Sequence, residues 1–532
     1  MIPWKLIATI YNSKLCGHDC SSLAVEFHIH HCHGMDSMIH TLKRFWNEHP
    51  LLAIILIAFI PRLIAALFSK GYGMHDDHFG PIEQPFIIMH DISYWAGRTT
   101  PHGHSIVYPS IHYALLNGFK SVGIQDPQTT MYLVRILHAL YSLLVVFFGY
   151  KIAGVLSTRE TAKKAGLVLA LFWAFPFLSV RNLIEMVCIP PLMAGFFYAL
   201  TSREKLRNAC IAGLWLGLAF VFRYQTLSLI GTLGLVLLVR REYKQAALLT
   251  CGFLATAIVI QGSADIFAWG YPFASFLEYM RYNATHGYDY TTGPWYNYAL
   301  LVLGALIPPL SFFFLYGLFR NWRKTVLILL PLMVFFISHS LFPNKQERFI
   351  FPVVPLIVLL SVVGWEEFVN GSAFWLRHRI ALKSLWVWFW ILNFILLVPF
   401  TIYYSKKSRV EAMYALYGKP VSGIVLVGGS LGVTQPPLFY AGVYPVPIYQ
   451  INDDEELRQV KTELDHDTVH PNYVIFFGLE GIEQRVPYIE SSLHMKLILE
   501  RRIEASFLDD VFYKLNPKNN KNQTTFVYRI IR

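Results

Sequence analysis

The sequence predicts an α-helical polytopic membrane protein, a transmembrane bundle of about eleven helices followed by a small α/β domain. Three observations carry that prediction. Hydrophobic residues make up 55% of the 532-residue chain and charged residues only 15%, too little polar surface to cover a soluble core. Apolar runs near the length of about 20 residues that a bilayer requires recur between Leu51 and Tyr404. Lys and Arg collect in alternate connections between those runs, the pattern that orients helices in a membrane.

Residues 1–45 are expected to form a cytoplasmic N-terminal segment. Its HIHHCHGMDSMIH run offers His28, His30, His31, Cys32 and His33 as metal ligands, but no second ligand pair at a fixed spacing accompanies them, so no metal site is assigned. The segment does not read as a cleavable signal peptide, because its apolar stretch is short and interrupted. Of six scattered cysteines, Cys188, Cys210 and Cys251 fall inside expected spans, which leaves no visible disulfide framework. The net charge of +11 is divided among small clusters beside apolar runs and forms no single basic stripe. Membrane topology therefore explains it, and nucleic acid is not an expected partner.

The transmembrane region is expected over 46–404, with spans near 51–68, 131–150, 165–179, 183–200, 208–222, 225–240, 246–262, 296–318, 325–341, 350–364 and 384–404. Connections holding Lys43/Arg44, Lys163/Lys164, Arg203/Arg207, Arg240/Arg241, Arg320/Arg323 and Arg377/Arg379 mark the cytoplasmic side. Residues 69–130, the turns at 180–182 and 223–224, residues 263–295 and the turn at 344–348 then face the extracytoplasmic side. Within the first of these, 81–97 and 107–120 predict short interfacial helices. An odd number of spans puts residues 405–532 on the same side. There VSGIVLVGGS and NYVIFFGL read as buried strands and DDEELRQVKTEL as an amphipathic helix. GGSLG after the first strand completes neither a dinucleotide fingerprint nor a P-loop and is read as a tight turn.

The extracytoplasmic connections hold the candidate chemistry. In GYGMHDDHFGPIEQP, adjacent Asp76 and Asp77 repel, which raises one carboxyl pKa and suits a general base, with Glu83 placed to orient an acceptor. A solvated acidic loop accounts for the spacing equally well. Arg181 and Glu185 in VRNLIE stand at i,i+4, where a simple helix pair is the plainer alternative, and Arg223 follows in FRYQT. The loop from Asp265 to Tyr298 is dense in Tyr, Trp, Gly and Pro, suited to a glycan face, although a membrane interface attracts the same rings. NKQERFIFPVVP sets Lys345 and Arg348 at the mouth of a span, where cations can neutralise a phosphate leaving group.

Taken together, these segments resemble the mannosyltransferases of GPI-anchor and N-glycan assembly, glycosyltransferase family 22 of the GT-C superfamily. MHDDHFGPIE matches the family's HPDE pattern at Asp76, Asp77, Phe79 and Glu83, with Met74-His75 in place of His-Pro. VRNLIE and FRYQT approximate its next two segments. Asp265, Trp269-Gly270, FLEYMRYN and TTGPWYNY (with Trp295) follow its aromatic run in order, and NKQERFIFPVVP its HKEERF segment, with Asn344 and Gln346 substituted. The matches cover 74–355, and the departures mark a divergent member, set in a bacterial inner membrane or the endoplasmic reticulum.

The resemblance implies a GT-C bundle and an inverting transfer of mannose from a polyprenyl- or dolichyl-phosphate carrier to a glycan or glycolipid hydroxyl. It implies Asp76 and Asp77 as the catalytic pair, with Asp76 the general base. Glu83, Arg181, Glu185, Arg223, Asp265 and Trp295 are then positioning residues, and Lys345 with Arg348 holds the phosphate. No cofactor and no metal is required, since Lys and Arg balance a monophosphate. Competing readings are another GT-C transferase, of the lipid A aminoarabinose or protein O-mannosyl type, and a lipid or polysaccharide transporter. The transporter predicts charges at mid-span, whereas the candidate groups sit at one end of the spans.

Overall fold

The computed structural model describes residues 40–429, 431, 434–466, 470–518 and 520–531. The histidine run His28 to His33 lies outside these residues. Residues 40–53 form a unit of their own, with a helix over 40–48 on which Arg44 Nε pairs with Glu48 at 2.8 Å.

From Ile54 onward the chain is mostly helical. Among the described residues six helices are long and apolar enough to cross a membrane: Pro50–Phe68, Pro127–Leu156, Tyr243–Trp269, Trp322–Leu341, Glu347–Gly371 and Arg379–Thr401. Asn297–Ala305 and Leu310–Arg320 make a seventh if taken as one span bent by 111°. Every expected apolar run falls mostly on helix, but eleven full-length spans are not what the helices provide. Ile184–Leu200, Arg207–Phe222 and Tyr224–Val239 are shorter, and the run at 165–179 is broken into Arg159–Leu171 and Phe175–Ser179. At a rise of about 1.5 Å per residue such helices fall short of a hydrocarbon core of about 30 Å.

Two cations inside the spans serve packing. Arg62, fully buried, donates to the carbonyls of Ala58 at 3.0 Å and Ala170 at 2.8 Å and to Ser142 Oγ at 3.1 Å, tying three helices together. Arg135 Nε donates to Ala66 O at 2.8 Å. Elsewhere close approach comes from small residues: Gly317 and Gly364 face each other across two helices so tightly that a Cβ on either would meet the other helix's backbone.

Beyond Thr401 the helix Lys407–Tyr414 leads into a five-stranded sheet of β1 (Ile424–Val427), β2 (Ile448–Ile451), β3 (Tyr473–Phe477), β4 (Lys496–Ile503) and β5 (Thr525–Ile531), in spatial order β2-β1-β3-β5-β4. The first three strands are parallel, and β5 runs antiparallel to β3 and β4. Two of these strands and the helix Asp454–His466 coincide with the elements expected there. The period-two alternation of side chains explains the burial of IVLV on both faces. Val425 and Val427 join Leu457, Val460 and Ile489 of the sheet's own helices. Ile424 and Leu426 join Tyr72, Phe79, Ile82 and Phe86 of the first long connection. The sheet is thus cored against the loop that carries the acidic pair.

Candidate active site

The acidic loop starts from a backbone held on several sides. Arg181, 1% exposed, donates to the carbonyls of Lys70 at 3.1 Å and Gly71 at 2.8 Å and to Ser69 Oγ at 2.8 Å, with its guanidinium over the Phe177 ring. Gly71 has φ 74° and pairs with Ser405 so closely that a Cβ there would strike the Ser405 carbonyl. A helical turn over Asp76–His78 follows and runs into a π-turn over Phe79–Glu83. That turn sends the two aspartates to different places.

Asp76 points outward, its side chain about half exposed at 53%, with Oδ2 2.5 Å from Arg348 Nη2. Burial raises its carboxyl pKa, but the charge and hydrogen bond of Arg348, with His104 and His75, outweigh that and hold it below the ordinary value. Asp77 is buried, accepts the Gly73 amide at 2.8 Å through Oδ2, and leaves Oδ1 without a partner. Burial pushes its carboxyl up against the pull of Lys406 and Arg181. The pair is split by environment, one carboxyl held below and the other pushed above its ordinary pKa.

Arg348 continues the network. Its Nε lies 3.6 Å from Glu185 Oε1, and Arg223 Nη2 reaches the same oxygen at 3.2 Å. Glu185 is fully buried, and both guanidinium groups approach the Phe349 ring. Asp76, Arg348, Glu185 and Arg223 therefore form a line of alternating charge built from four separate connections. Two acids and two bases balance in it, and this balance is what lets a carboxylate stay buried.

Four other expected residues lie outside this line. Glu83 is buried and accepts the Phe439 amide at 3.0 and 3.2 Å and His78 Nε2 at 3.1 Å, joining the loop to the C-terminal segment. Asp265 is buried on Ser275, Oγ at 2.6 Å and N at 3.2 Å, locking two helices of the aromatic loop. Lys345 Nζ donates to the carbonyls of His339 at 3.0 Å and Ser340 at 2.8 Å and to that of Phe342, capping the end of Trp322–Leu341. Trp295 is 66% exposed, with its ring edge-on to Tyr296.

His104 is the residue the sequence reading passed over. Its side chain is exposed and stands within electrostatic reach of Arg223, Asp76, Glu185 and Arg348. Its loop is pinned on both flanks, by Gly103 against the Tyr279 backbone and by Ser105 Oγ on Gln261 Oε1 at 2.7 Å. The surrounding protein and Arg223 lower its imidazole pKa, and Asp76 and Glu185 oppose them. Nothing in PHGHS distinguishes it, since His102 and His104 look alike until the fold orients them.

Among the described residues no group of three or more His, Cys, Asp or Glu side chains is placed to hold a metal. At the GGSLG turn, Arg485 fills the space beyond the strand ends, donating to Val427 O at 2.9 Å and Phe477 O at 3.0 Å. Ser430 and Gly432 of that turn lie outside the described residues.

The fold resembles that of ArnT from Cupriavidus metallidurans bound to undecaprenyl phosphate, with a TM-score of 0.60 at 13% identity, over 90% of this chain and 97% of that one. GPI mannosyltransferase 3 of Yarrowia lipolytica is 25% identical over 350 residues, 63% of this chain and 66% of its own length. The chain thus spans just under two thirds of that relative. Alpha-1,2-mannosyltransferase ALG9 of Mus musculus is 34% identical over 129 residues, 21% of this chain and 20% of its own. Residues 52–419, which contain the whole charge line and the acidic loop, match the Alg9-like mannosyltransferase family, and the chain belongs to that family.

Proposed function

We propose that the protein is an inverting mannosyltransferase that moves mannose from a polyprenyl- or dolichyl-phosphate carrier to a hydroxyl of a glycan or glycolipid. The observation that carries this reading is the Asp76–Arg348 pair, an accessible carboxylate bonded to the cation best suited to grip a phosphate. Family membership and the undecaprenyl phosphate bound by the ArnT relative support the donor class.

The pair also suggests how the step is ordered. Arg348 depresses the basicity of Asp76 while it holds it. A donor phosphate drawing the guanidinium to itself releases that restraint, so Asp76 gains basicity as the donor binds. The acceptor hydroxyl then attacks the anomeric carbon, its proton passes to Asp76, and the bond to the phosphate oxygen breaks with the electron pair leaving on the lipid phosphate. Gln346 Oε1, accepting from Arg348 Nε at 2.8 Å, orients the guanidinium, and Glu185 supplies a charge shared with Arg223.

Charge alternation supports an extracytoplasmic site, and the packing of the acidic loop against the sheet supports the same side for residues 405–532. The test is transfer in membranes supplied with labelled lipid-phosphate mannose. Asp76→Asn should lower kcat by about 10²- to 10⁴-fold, and wild-type transfer by that variant would overturn the assignment.

A further inference from the structure

The acidic loop is gripped from behind by the start of the C-terminal segment. Ser405 Oγ donates to Tyr72 O at 2.7 Å, and Ser405 N donates to Lys70 O at 3.1 Å. One residue later the chain turns through Lys406 at φ 52°, a left-handed conformation that a side-chain-bearing residue rarely adopts. The helix Lys407–Tyr414 begins immediately after it. The turn sets the Lys406 side chain over the loop: Nζ donates to the carbonyl of Gly73 and to that of Tyr72 at 3.4 Å, and lies 4.6 Å from the centre of the Tyr72 ring.

Gly73 is therefore held at both of its backbone groups. Its carbonyl accepts from Lys406, and its amide donates to Asp77 at 2.8 Å. The other Asp77 oxygen, buried and without a hydrogen-bond partner, depends on nearby positive charge. Arg181 supplies part of that charge, but its Nη1 and Nη2 hydrogens are committed to Ser69, Lys70, Gly71 and Tyr403, and none of its nitrogens bonds Asp77. Lys406 supplies the rest.

We propose that Lys406 is a positioning residue of the active site, its ammonium fixing the Tyr72–Gly73 backbone and balancing Asp77 so that Asp76 is presented to Arg348. The contact stands on the geometry, and its catalytic consequence rests on the mannosyl-transfer reading.

Burial lowers the Lys406 ammonium to about 8, with Asp77 and Asp509 opposing that shift and Arg409 and Arg181 adding to it. Tyr72 and His75 of the loop also face it. Above about pH 8 a neutral amine offers one fewer donor and no charge to Asp77. The loop should then loosen, a response that an arginine, which does not titrate in this range, removes.

The experiment is hydrogen–deuterium exchange on the full-length protein in lipid nanodiscs, following peptides over 70–83 at pH 7 and pH 9 and correcting for the intrinsic rise of exchange with pH. Wild type should lose protection of 70–83 at pH 9, Lys406→Met should lack it at both pH values, and Lys406→Arg should keep it at both. Peptides over β1 and β3 report whether a variant is folded. If Lys406→Met opens the sheet as well, the wild-type and Lys406→Arg pair decides. Equal protection of wild type at the two pH values, or the same pH response in Lys406→Arg, overturns the proposal. In a transfer assay on the same samples, Lys406→Met should lose about 10²-fold in kcat with KM little changed, the signature of a misplaced group. An exchange pattern as expected, with no transfer from any lipid-phosphate mannose by wild type, sinks the transfer reading and leaves the positioning role intact.

Discussion

Arg348 Nη2 lies 2.5 Å from Asp76 Oδ2, although 272 residues separate the two in sequence. The same guanidinium faces the buried Glu185 on its other edge. A planar fork between two carboxylates has a geometry that a lysine cannot copy. Arg348→Lys should therefore lower kcat by about 10²- to 10³-fold, measured with lipid-phosphate mannose in membranes. Activity within a few-fold of wild type would remove Arg348 from the phosphate site.

Asp76 gives a pH test. Burial raises its pKa, but Arg348 outweighs that and holds it below the ordinary carboxylate value of about 3.9. A group with a depressed folded pKa stays ionised until pH falls through that lower value, and any stability it contributes is lost over the same window. Removing the opposing charge in Arg348→Gln should shift the acid limb of kcat/KM to higher pH. An unmoved limb would assign it to another group.

Asp77 should respond in the opposite sense. Burial raises its carboxyl above the unfolded value, so its contribution to stability is fully present below about pH 3.9 and is lost as pH rises through the raised folded pKa. Asp77→Asn keeps an acceptor for the Gly73 amide and removes the buried charge. Thermal melting in detergent should place the variant above wild type at pH 7, with the gap closing under acid. A lower melting temperature at pH 7 would mean that Lys406 and Arg181 overcome the burial.

Glu185 is the buried partner of two arginines. Glu185→Ala leaves the buried Arg223 without its carboxylate and Arg348 with Asp76 alone, and should cost about 3–5 kcal/mol of stability. Glu185→Gln keeps the shape and should cost less. Equal melting of Glu185→Ala and wild type would show that water or Asp76 takes over the pairing.

Glu83 joins two distant segments through the Phe439 amide and His78. Glu83→Ala should leave that buried amide unsatisfied, at about 1–3 kcal/mol, and should speed limited proteolysis near 437–441. Unchanged cleavage there, with reduced transfer, would favour a direct acceptor contact for Glu83 instead.

Much of the fold was legible because hydropathy acts through one dominant force. The apolar runs from Leu51 to Tyr404 fall mostly on helix. Span length was not legible: no window of hydropathy contains the break at Phe172–Ala174 or the 111° bend between Asn297–Ala305 and Leu310–Arg320. In the site, Asp76, Glu185, Arg223 and Arg348 were each marked by charge at a span mouth, and the structure assembles them into one line. Lys345, from the same kind of position, turns to the carbonyls at a helix end, where the helix dipole favours a cation. His104 and Lys406 carried no signal, since their roles depend on a loop pinned by Gly103 and on a left-handed turn.

The sheet also imposes an order in time. Val527 of β5 belongs to the apolar cluster that covers Tyr72 and Phe79, and β5 fills the gap between β3 and β4. During synthesis the acidic loop is made and threaded to its side of the bilayer long before residues 525–531 exist. Until they arrive the apolar cluster over Tyr72 and Phe79 lacks Val527 and is incomplete. A ribosome-bound nascent chain can therefore be fully inserted and still catalytically unassembled, with its maturation set by the slow closure of contacts far apart in sequence.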